Sequence, residues 1–430
     1  MLTRALTRRY RVLANRNFRL LLADRLLAPM AVSFSLVGVS FAVLHATGST
    51  ADLSYVIAAQ AAPSLIFLLV GGVIADRVRP QLVIVAANVM IAAGEGTFGV
   101  LVLAGHPPLL VMVVLEVVTG SGVALFYPAA MALLPRLVPP EQMREASAIS
   151  RLAMNAALMA GAALAGECVA LFGAGWALAV CGIGMLGTVP LLLAIRLGPL
   201  PLGREAAEHG PSMISELREG WSEFRSHTWL WATVLQFTVV LAAWCGGFQV
   251  LGPAVARAHL GGAAAWGLIS AAEATGLIAG GLVALRWAPG RPILYVVLMG
   301  AAIGVAPLSL AMLLPLPVIC LTSFGLGVAV ETMSVLWTVT MAANIPADKL
   351  ARVSAYDGLG SMMGMPVGAL VAGPLAARIG VGVTQYGAAG LILIASALVL
   401  ISREVRTMRS GPAGAVVVAV AAPEPALAEL

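Results

Sequence analysis

Long runs of hydrophobic residues alternate with short polar stretches along almost the whole chain. A helix that crosses a membrane needs about 20 mainly apolar residues, and the pattern predicts twelve such helices. In chain order they are Phe18–Leu44, Leu53–Ala75, Leu82–Ala104, Leu109–Leu134, Ala146–Phe172, Trp176–Ile195, Trp229–Ala256, Ala263–Leu285, Ile293–Leu314, Val318–Ala343, Val353–Ala377 and Val381–Ile401. The pattern therefore predicts an all-α integral membrane protein.

A polar stretch divides these helices into two sets of six. We predict an N-terminal six-helix half at 1–196, a linker at 197–228, a C-terminal half at 229–403 and a disordered tail at 404–430. Within the linker, apolar residues recur at helical spacing from Ile214 to Phe224. This spacing is typical of a helix lying in the membrane interface, although a soluble linker helix would show the same pattern.

The two halves repeat each other. Met143–Arg196 aligns without a gap on Leu350–Arg403, and Gly161 and Gly166 then match Gly368 and Gly373. Duplicated parallel halves in a membrane protein are typical of transporters whose substrate site lies between the halves. The repeat therefore favours two pseudo-symmetric halves.

Composition excludes the soluble classes of protein. Hydrophobic residues make up 60% and charged residues 10% of the 430-residue chain, whereas soluble domains are about 45–50% apolar and about 25% charged. Mean hydropathy is +0.97, which is too high for the alternating strands of an outer-membrane barrel. The net charge of +5 comes from arginines in alternate loops and before the first helix. By the positive-inside rule, we expect both termini in the cytoplasm and the chain in the inner membrane.

The loop after the second predicted helix carries a recognisable motif. It reads Gly72-Val-Ile-Ala-Asp76-Arg77-Val-Arg79-Pro80, which is similar to the cytoplasmic signature G-x-x-x-D-R-x-G-R of the major facilitator superfamily. Arg79 and Pro80 depart from that signature. The chain resembles this family from about Phe18 to Arg409, and it resembles most the branch of drug and siderophore exporters that includes enterobactin and macrolide efflux proteins.

The resemblance implies the major facilitator fold and a latch between its halves. Asp76 would end the second helix facing the positive N-terminal end of helix 11, with Gly72 allowing close packing. Arg77 and Arg79 would belong to this latch, together with Arg286 in the equivalent loop of the second half. Ordinary loop charge obeying the positive-inside rule is the alternative interpretation.

Charged residues inside the predicted helices are candidates for function, because a charge at helix centre costs about 2.5–3.5 kcal/mol on insertion scales. The resemblance implies that helices 1, 4, 7 and 10 line a cavity, which makes Asp24, Glu116 and Glu331 the leading proton-coupling acids. Glu273 on helix 8 is a further candidate. Structural ion pairs or packing hydrogen bonds remain the alternative for each, and we expect a structural role for Glu95 on helix 3.

Two expectations about charge pairing follow from position along the helices. Arg151 and Asp24 lie at similar depth on helices that are neighbours in the family, so we expect them to pair. Helix 10 contains no cation, so we expect Glu331 to be unpaired and protonated in a closed cavity.

The remaining cavity wall should be apolar and aromatic. The expected lining includes Tyr127, Trp244 and Trp337, which suits a bulky amphipathic compound. Generic membrane core is the alternative interpretation for each of these residues.

Together these features favour a proton-coupled exporter of a bulky amphipathic small molecule, working by alternating access as a monomer in the lipid bilayer. An importer of a polar metabolite is the alternative, and a membrane-embedded enzyme is a third. The expected partners are the substrate and protons, without nucleic acid. No cofactor or metal site is expected: the cysteines and histidines lack ligand spacing, and the sequence contains no GxxxxGK[ST] nucleotide loop.

Overall fold

The computed structural model describes residues 11–77, 79–105, 107–197 and 213–409, but not the side chains of 64–77 and 213–219 or a few single ones, including that of Tyr127. Twelve long helical segments lie within the described residues. They are α1 Arg16–Thr47, α2 Thr50–Arg77, α3 Pro80–Ala104, α4 Leu109–Leu137, α5 Met143–Phe172, α6 Ala174–Leu193, α7 Thr228–Leu260, α8 Ala263–Arg286, α9 Pro292–Ala302 with Val305–Ala311, α10 Leu316–Asn344, α11 Ala347–Met362 with Gly364–Ile379, and α12 Val381–Val399.

Each predicted helix coincides with one of these segments, which confirms the all-α fold class. Eleven of the segments are long and apolar enough to cross a membrane. The exception is α2, which is 28 residues long but has side chains that are only partly described. A linker helix, Met213–Ser226, lies between α6 and α7.

Three helices depart from regular geometry: α9 is interrupted between Ala302 and Val305, and α7 and α11 change where they pack tightly. In α7 the segments Cys245–Val250 and Ala256–Leu260 are π-helical, a widening of the helix that is frequent at functional sites. In α11 the break precedes Gly364, where a Cβ atom would lie 2.1 Å from the carbonyl oxygen of Thr238. The apolar pattern alone predicts a continuous helix at these places, because it does not register local changes in winding.

The chain crosses back and forth, so the helix ends lie on two sides. We call the side that carries the linker helix the linker side and the other the loop side. Between the halves, α5 packs against α8 and α2 packs against α11.

The halves approach most closely near the loop side. A Cβ atom on Gly267 in α8 would lie only 2.7 Å from the Cα of Gly166 in α5. The backbone N–H of Gly373 in α11 donates a hydrogen bond to Ser54 Oγ in α2 at 2.6 Å. Arg257 in α7 donates to the carbonyl oxygen of Leu44 at the end of α1. Small residues and these two hydrogen bonds hold the halves together at the loop side, as expected where membrane helices pack with close backbone contact.

The linker helix is fastened to the C-terminal half. Glu223 accepts hydrogen bonds from Lys349 Nζ at 2.9 Å and from His227 at 3.2 Å. These two bonds lower the pKa of the Glu223 carboxyl. The rings of Trp221 and Phe224 lie at tilted angles against Tyr356 in the first segment of α11, at ring-centroid distances of 5.5 and 6.0 Å. The linker helix is therefore expected to move with α11.

We expect Gly267→Ala to destabilise the protein by about 1–3 kcal/mol, because the added methyl group overpacks the contact with α5. The apparent melting temperature of the purified protein measures this loss. Gly390→Ala in α12 is the matched control, since a Cβ atom there meets nothing within 4 Å. A Gly267→Ala protein that melts at or above the wild-type temperature would contradict the packing described for α5 and α8.

We expect Glu223→Gln to loosen the linker helix near neutral pH and to have no effect in acid. A carboxyl whose pKa is lowered by folding stabilises the folded state above its unfolded pKa, and this contribution is lost as pH falls through the folded pKa. Hydrogen–deuterium exchange of residues 213–226 should therefore be faster in the variant at neutral pH and equal to wild type at low pH. Arg225→Gln, an exposed change on the same helix, should leave exchange unchanged. Equal exchange of wild type and Glu223→Gln at neutral pH would show that the Glu223 hydrogen bonds do not fasten the linker helix.

Candidate functional site: an ion pair between the halves

One ion pair joins the two halves on the linker side of the membrane. Arg151 in α5 donates a hydrogen bond to Glu331 Oε1 in α10. The arginine side chain is 60% exposed, whereas the glutamate side chain is 13% exposed. The carboxylate is thus held inside the bundle, and the guanidinium extends from α5 to meet it.

The pair lies in a cavity of about 340 Å³ between α5, α8 and α10. Its other polar lining residues are Asn155, Ser334 and Thr338, and the rest of the wall is aliphatic, as at Leu277 and Val335. Cavities of about 300–1,000 Å³ with mostly apolar walls and a few polar groups are typical of small-molecule sites. This geometry suits a compound that is largely apolar and carries a polar or charged group.

Helix geometry explains how these two charges meet. Arg151 lies about two turns into α5 from the linker side, and Glu331 about three to four turns into α10 from the same side. The difference in depth is about 7 Å at 1.5 Å per residue, which an extended arginine side chain spans. The long Arg151 side chain therefore reaches the more deeply placed carboxylate of Glu331 from a position nearer the linker side.

Two sequence expectations are corrected by this contact. Glu331 was expected to have no cation, but Arg151 from the other half is its partner. Arg151 was expected to pair with Asp24, but among the described residues its partner is Glu331. Depth along the helix indicates how far into the membrane each charge lies. Only the packing of the helices shows which neighbouring helix each charge faces.

Asp24 lies inside the N-terminal half rather than in the cavity. Its side chain is buried, and Oδ1 accepts no hydrogen bond from a described residue. The adjacent Arg25 donates to the carbonyl oxygen of Ala130 in α4 at 3.2 Å and lies over the ring of Phe126. Asp24 is therefore not part of the wall of this cavity, and its role in proton coupling stays a prediction.

Glu116 and Glu273 also lie outside the residues that line the cavity. Glu116 is 1% exposed within the N-terminal half. Glu273 lies on α8, one turn nearer the loop side than Leu277, where α8 packs closely on α10: a Cβ atom on Gly327 would lie 2.0 Å from the Glu273 carbonyl oxygen. Neither acid contacts the ion pair.

The predicted aromatic lining is only partly placed by the structure. Trp337 is buried among Trp229 and Phe237 within the C-terminal half, and its Nε1 donates to Asp357 Oδ2 at 3.0 Å. Trp244, halfway along α7, packs against apolar clusters shared by both halves. Both lie outside the cavity wall, contrary to expectation, while Tyr127 lies outside the described side chains.

The predicted latch falls mostly outside the described side chains. The backbone of α2 continues to Arg77, but the side chains of Gly72, Asp76 and Arg77 are not described. Arg79 is exposed at the start of α3, and Arg286 is exposed at the end of α8. The latch therefore stays a prediction.

Glu95, for which the sequence predicts a structural role, is enclosed within the N-terminal half. Its carboxyl is fully buried and accepts a hydrogen bond from Ser35 Oγ in α1 at 2.6 Å. The side chains of Glu95 and Glu116 are close enough for their charges to interact. The sequence signal was present, because Gln81, Asn88 and Glu95 recur every seven residues on α3 and mark a polar face.

Comparison with known proteins supports the fold. A profile of the Major Facilitator Superfamily matches residues 26–356. Macrolide efflux protein A of Streptococcus pyogenes is 26% identical over 357 residues, covering 80% of this chain and 85% of that protein. Enterobactin exporter EntS of Salmonella choleraesuis (strain SC-B67) is 28% identical over 391 residues, covering 89% of this chain and 91% of that protein.

Solved transporter structures share the fold at low sequence identity. A bacterial homologue of the human lysosomal transporter Spinster, in an inward-facing and unoccupied conformation, superposes with a TM-score of 0.63 at 16% identity, covering 91% of this chain and 99% of that one. A POT family transporter bound to a thioalcohol-conjugated peptide gives a TM-score of 0.69 at 12% identity, covering 90% and 96%. The chain belongs to the Major Facilitator Superfamily and is a multi-pass membrane transporter rather than an enzyme.

Proposed function

We propose that the protein is a proton-coupled exporter of an amphipathic small molecule, with the Arg151–Glu331 pair as its charge switch. The observation that carries this proposal is an ion pair that joins the two halves inside a largely apolar cavity. Alternating access requires contacts between the halves to form in one state and break in another. A proton on Glu331 removes the charge that holds Arg151, so protonation and separation of the halves on the linker side are linked.

The orientation of the protein in the membrane determines the direction of transport. We propose that the linker side faces the cytoplasm, because arginines such as Arg79 and Arg286 lie exposed at the helix ends on that side. The cavity is then open to loading from the cytoplasm while the glycine contacts close the loop side. The two efflux relatives, which export a macrolide and enterobactin by their names, support export over import.

The cavity wall supports an amphipathic substrate. Leu, Val, Ile and Ala side chains dominate its lining, and this surface favours contact with apolar groups. An importer of a polar metabolite would need more hydrogen-bonding groups than the three uncharged polar side chains of this wall supply. Asp76 acts in this scheme as the latch between α2 and α11, and the protein works as a monomer.

We expect Glu331→Gln to lower proton-driven efflux by roughly 5- to 150-fold, the range of typical coupling free energies, while leaving substrate binding intact. The neutral amide keeps the shape of the side chain but cannot exchange a proton. Uptake of a fluorescent amphipathic amine into energised inverted vesicles, where export appears as accumulation inside the vesicle, measures this loss when it is recorded with and without a protonophore. Arg151→Gln should be similarly impaired, and the double variant should lose less than the sum of the two single losses, because the charges act as a pair.

Glu167→Gln is the matched control, since Glu167 is an exposed acid at the loop-side end of α5. Undiminished, protonophore-sensitive efflux by Glu331→Gln would exclude it as the switch. Transport in the opposite direction, with uptake into cells rather than efflux, would instead favour the importer.

A further inference from the structure

The second unusual feature of the fold is a pair of acids enclosed within the N-terminal half. Glu95 in α3 is 0% exposed and Glu116 in α4 is 1% exposed. Side chains from three other helices face them: Ser35 from α1, Gln60 from α2 and the Cys181 thiol from α6. Five helices thus converge on two carboxyl groups that lie outside the cavity of the ion pair.

Close packing of α3 and α4 forces the two acids together. A Cβ atom on Gly94 would lie 2.3 Å from Thr119 Oγ1 and 3.0 Å from the Leu115 carbonyl oxygen. Glu95 and Glu116 follow Gly94 and Leu115 directly in the chain. Because glycine removes the side chain at this crossing, the neighbouring acids approach each other and their charges interact.

Several polar atoms at this pair lack a hydrogen bond of normal geometry to any described residue. Oε2 of Glu95, both carboxyl oxygens of Glu116 and Thr119 Oγ1 are buried and make no hydrogen bond of normal geometry with a described residue. Buried polar atoms are normally satisfied, so a group of orphaned acceptors requires an explanation. A ligand that supplies hydrogen-bond donors would satisfy them.

Among the described residues, no arginine or lysine forms an ion pair with either acid. The groups that face them are a hydroxyl, an amide and a thiol, and Asp24 lies about three turns further along α1 toward the linker side. Two ionised carboxylates enclosed together without a cation would be strongly unfavourable, through loss of hydration and mutual repulsion. Protons are the smallest ligands that remove both penalties.

We propose that Glu95 and Glu116 form a proton-binding site inside the N-terminal half, separate from the cavity, that holds at least one proton when the loop side is closed. The step is proton transfer from solvent to a carboxylate, which gives a carboxylic acid that donates a hydrogen bond to the neighbouring carboxyl oxygen. No covalent bond between heavy atoms changes.

The position of the site indicates where its proton comes from. Glu116 and Cys181 each lie seven residues from the loop-side ends of α4 and α6, or about 10 Å at 1.5 Å per residue. The site is therefore nearer the loop side, whereas Arg151 and Glu331 lie nearer the linker side. Its role as the entry point for coupling protons rests on the proposed function, in which the loop side is external, but proton binding itself does not.

The site also has a mechanical connection to the cavity. Ser35 links Glu95 to α1, and Ser33 on the same helix lies 3.3 Å from the carbonyl oxygen of Leu158 in α5. Leu158 lies two turns from Arg151. A change in charge at Glu95 therefore acts on a helix that packs directly against the one carrying the ion pair.

Infrared spectroscopy of the full-length purified protein tests proton binding without any transport. The C=O stretch of protonated carboxyl groups is recorded in sodium-free buffer across a pH titration, for wild type and for Glu95→Gln/Glu116→Gln. We expect the wild-type band to persist at neutral pH, where exposed carboxyls are ionised, and to lose intensity in the double variant. Glu167→Gln should leave the band unchanged, and Glu116→Asp, which keeps a titratable group, should retain it.

A double variant whose neutral-pH band equals that of wild type would overturn the proposal. So would a band that disappears when sodium chloride is added, because the site would then bind sodium instead of a proton. If the double variant does not fold, the retained band of Glu116→Asp and its altered frequency supply the same test. This signal needs neither substrate nor a gradient. Proton binding can therefore be confirmed when the proposed export function is refuted, and export can be confirmed when proton binding is refuted.

Discussion

The cost of placing a charge in an apolar membrane constrains every functional feature of this protein. Such a charge needs a partner of opposite sign or a proton, and the described residues include an ion pair and a buried pair of acids that has no cation. Arg151 and Glu331 are neutralised by each other across the halves. Glu95 and Glu116 face no described cation and are enclosed by five helices. We propose that the first arrangement responds to separation of the halves and the second to the arrival of a proton.

Glycine packing determines which side of the bundle can open. Gly166 meets Gly267 near the loop side, and Gly373 approaches Ser54 there. On the linker side, α5 is separated from α8 and α10 by the cavity, and the ion pair spans that gap. The loop side is held by close backbone contacts, whereas the linker side is bridged by a long ion pair that depends on charge. The halves can therefore separate more easily on the linker side. This asymmetry is what an alternating-access transporter requires of one of its states.

Much of the fold was predictable from the sequence because membrane helices must be long and apolar. The helix count and the fold class followed from that rule, and the family resemblance carried by the loop at Gly72–Pro80 was confirmed. The partner of Glu331 was not predictable, because periodicity within one helix says nothing about the rotation of another. Asp24 and Trp337 show the same limit: both lie on helices expected to line the cavity, but both side chains are buried and neither belongs to its wall.

The central claim is that the charge state of Glu331 controls separation of the halves on the linker side. Spin labels at Ser147 in α5 and Ala343 in α10, in a variant without native cysteines, report that distance by double electron–electron resonance. Both positions are exposed near the linker-side ends of their helices. The account predicts that the longer distances gain population as pH falls, and that Glu331→Gln shows them at every pH. Identical distance distributions in the two proteins across the pH range would contradict it.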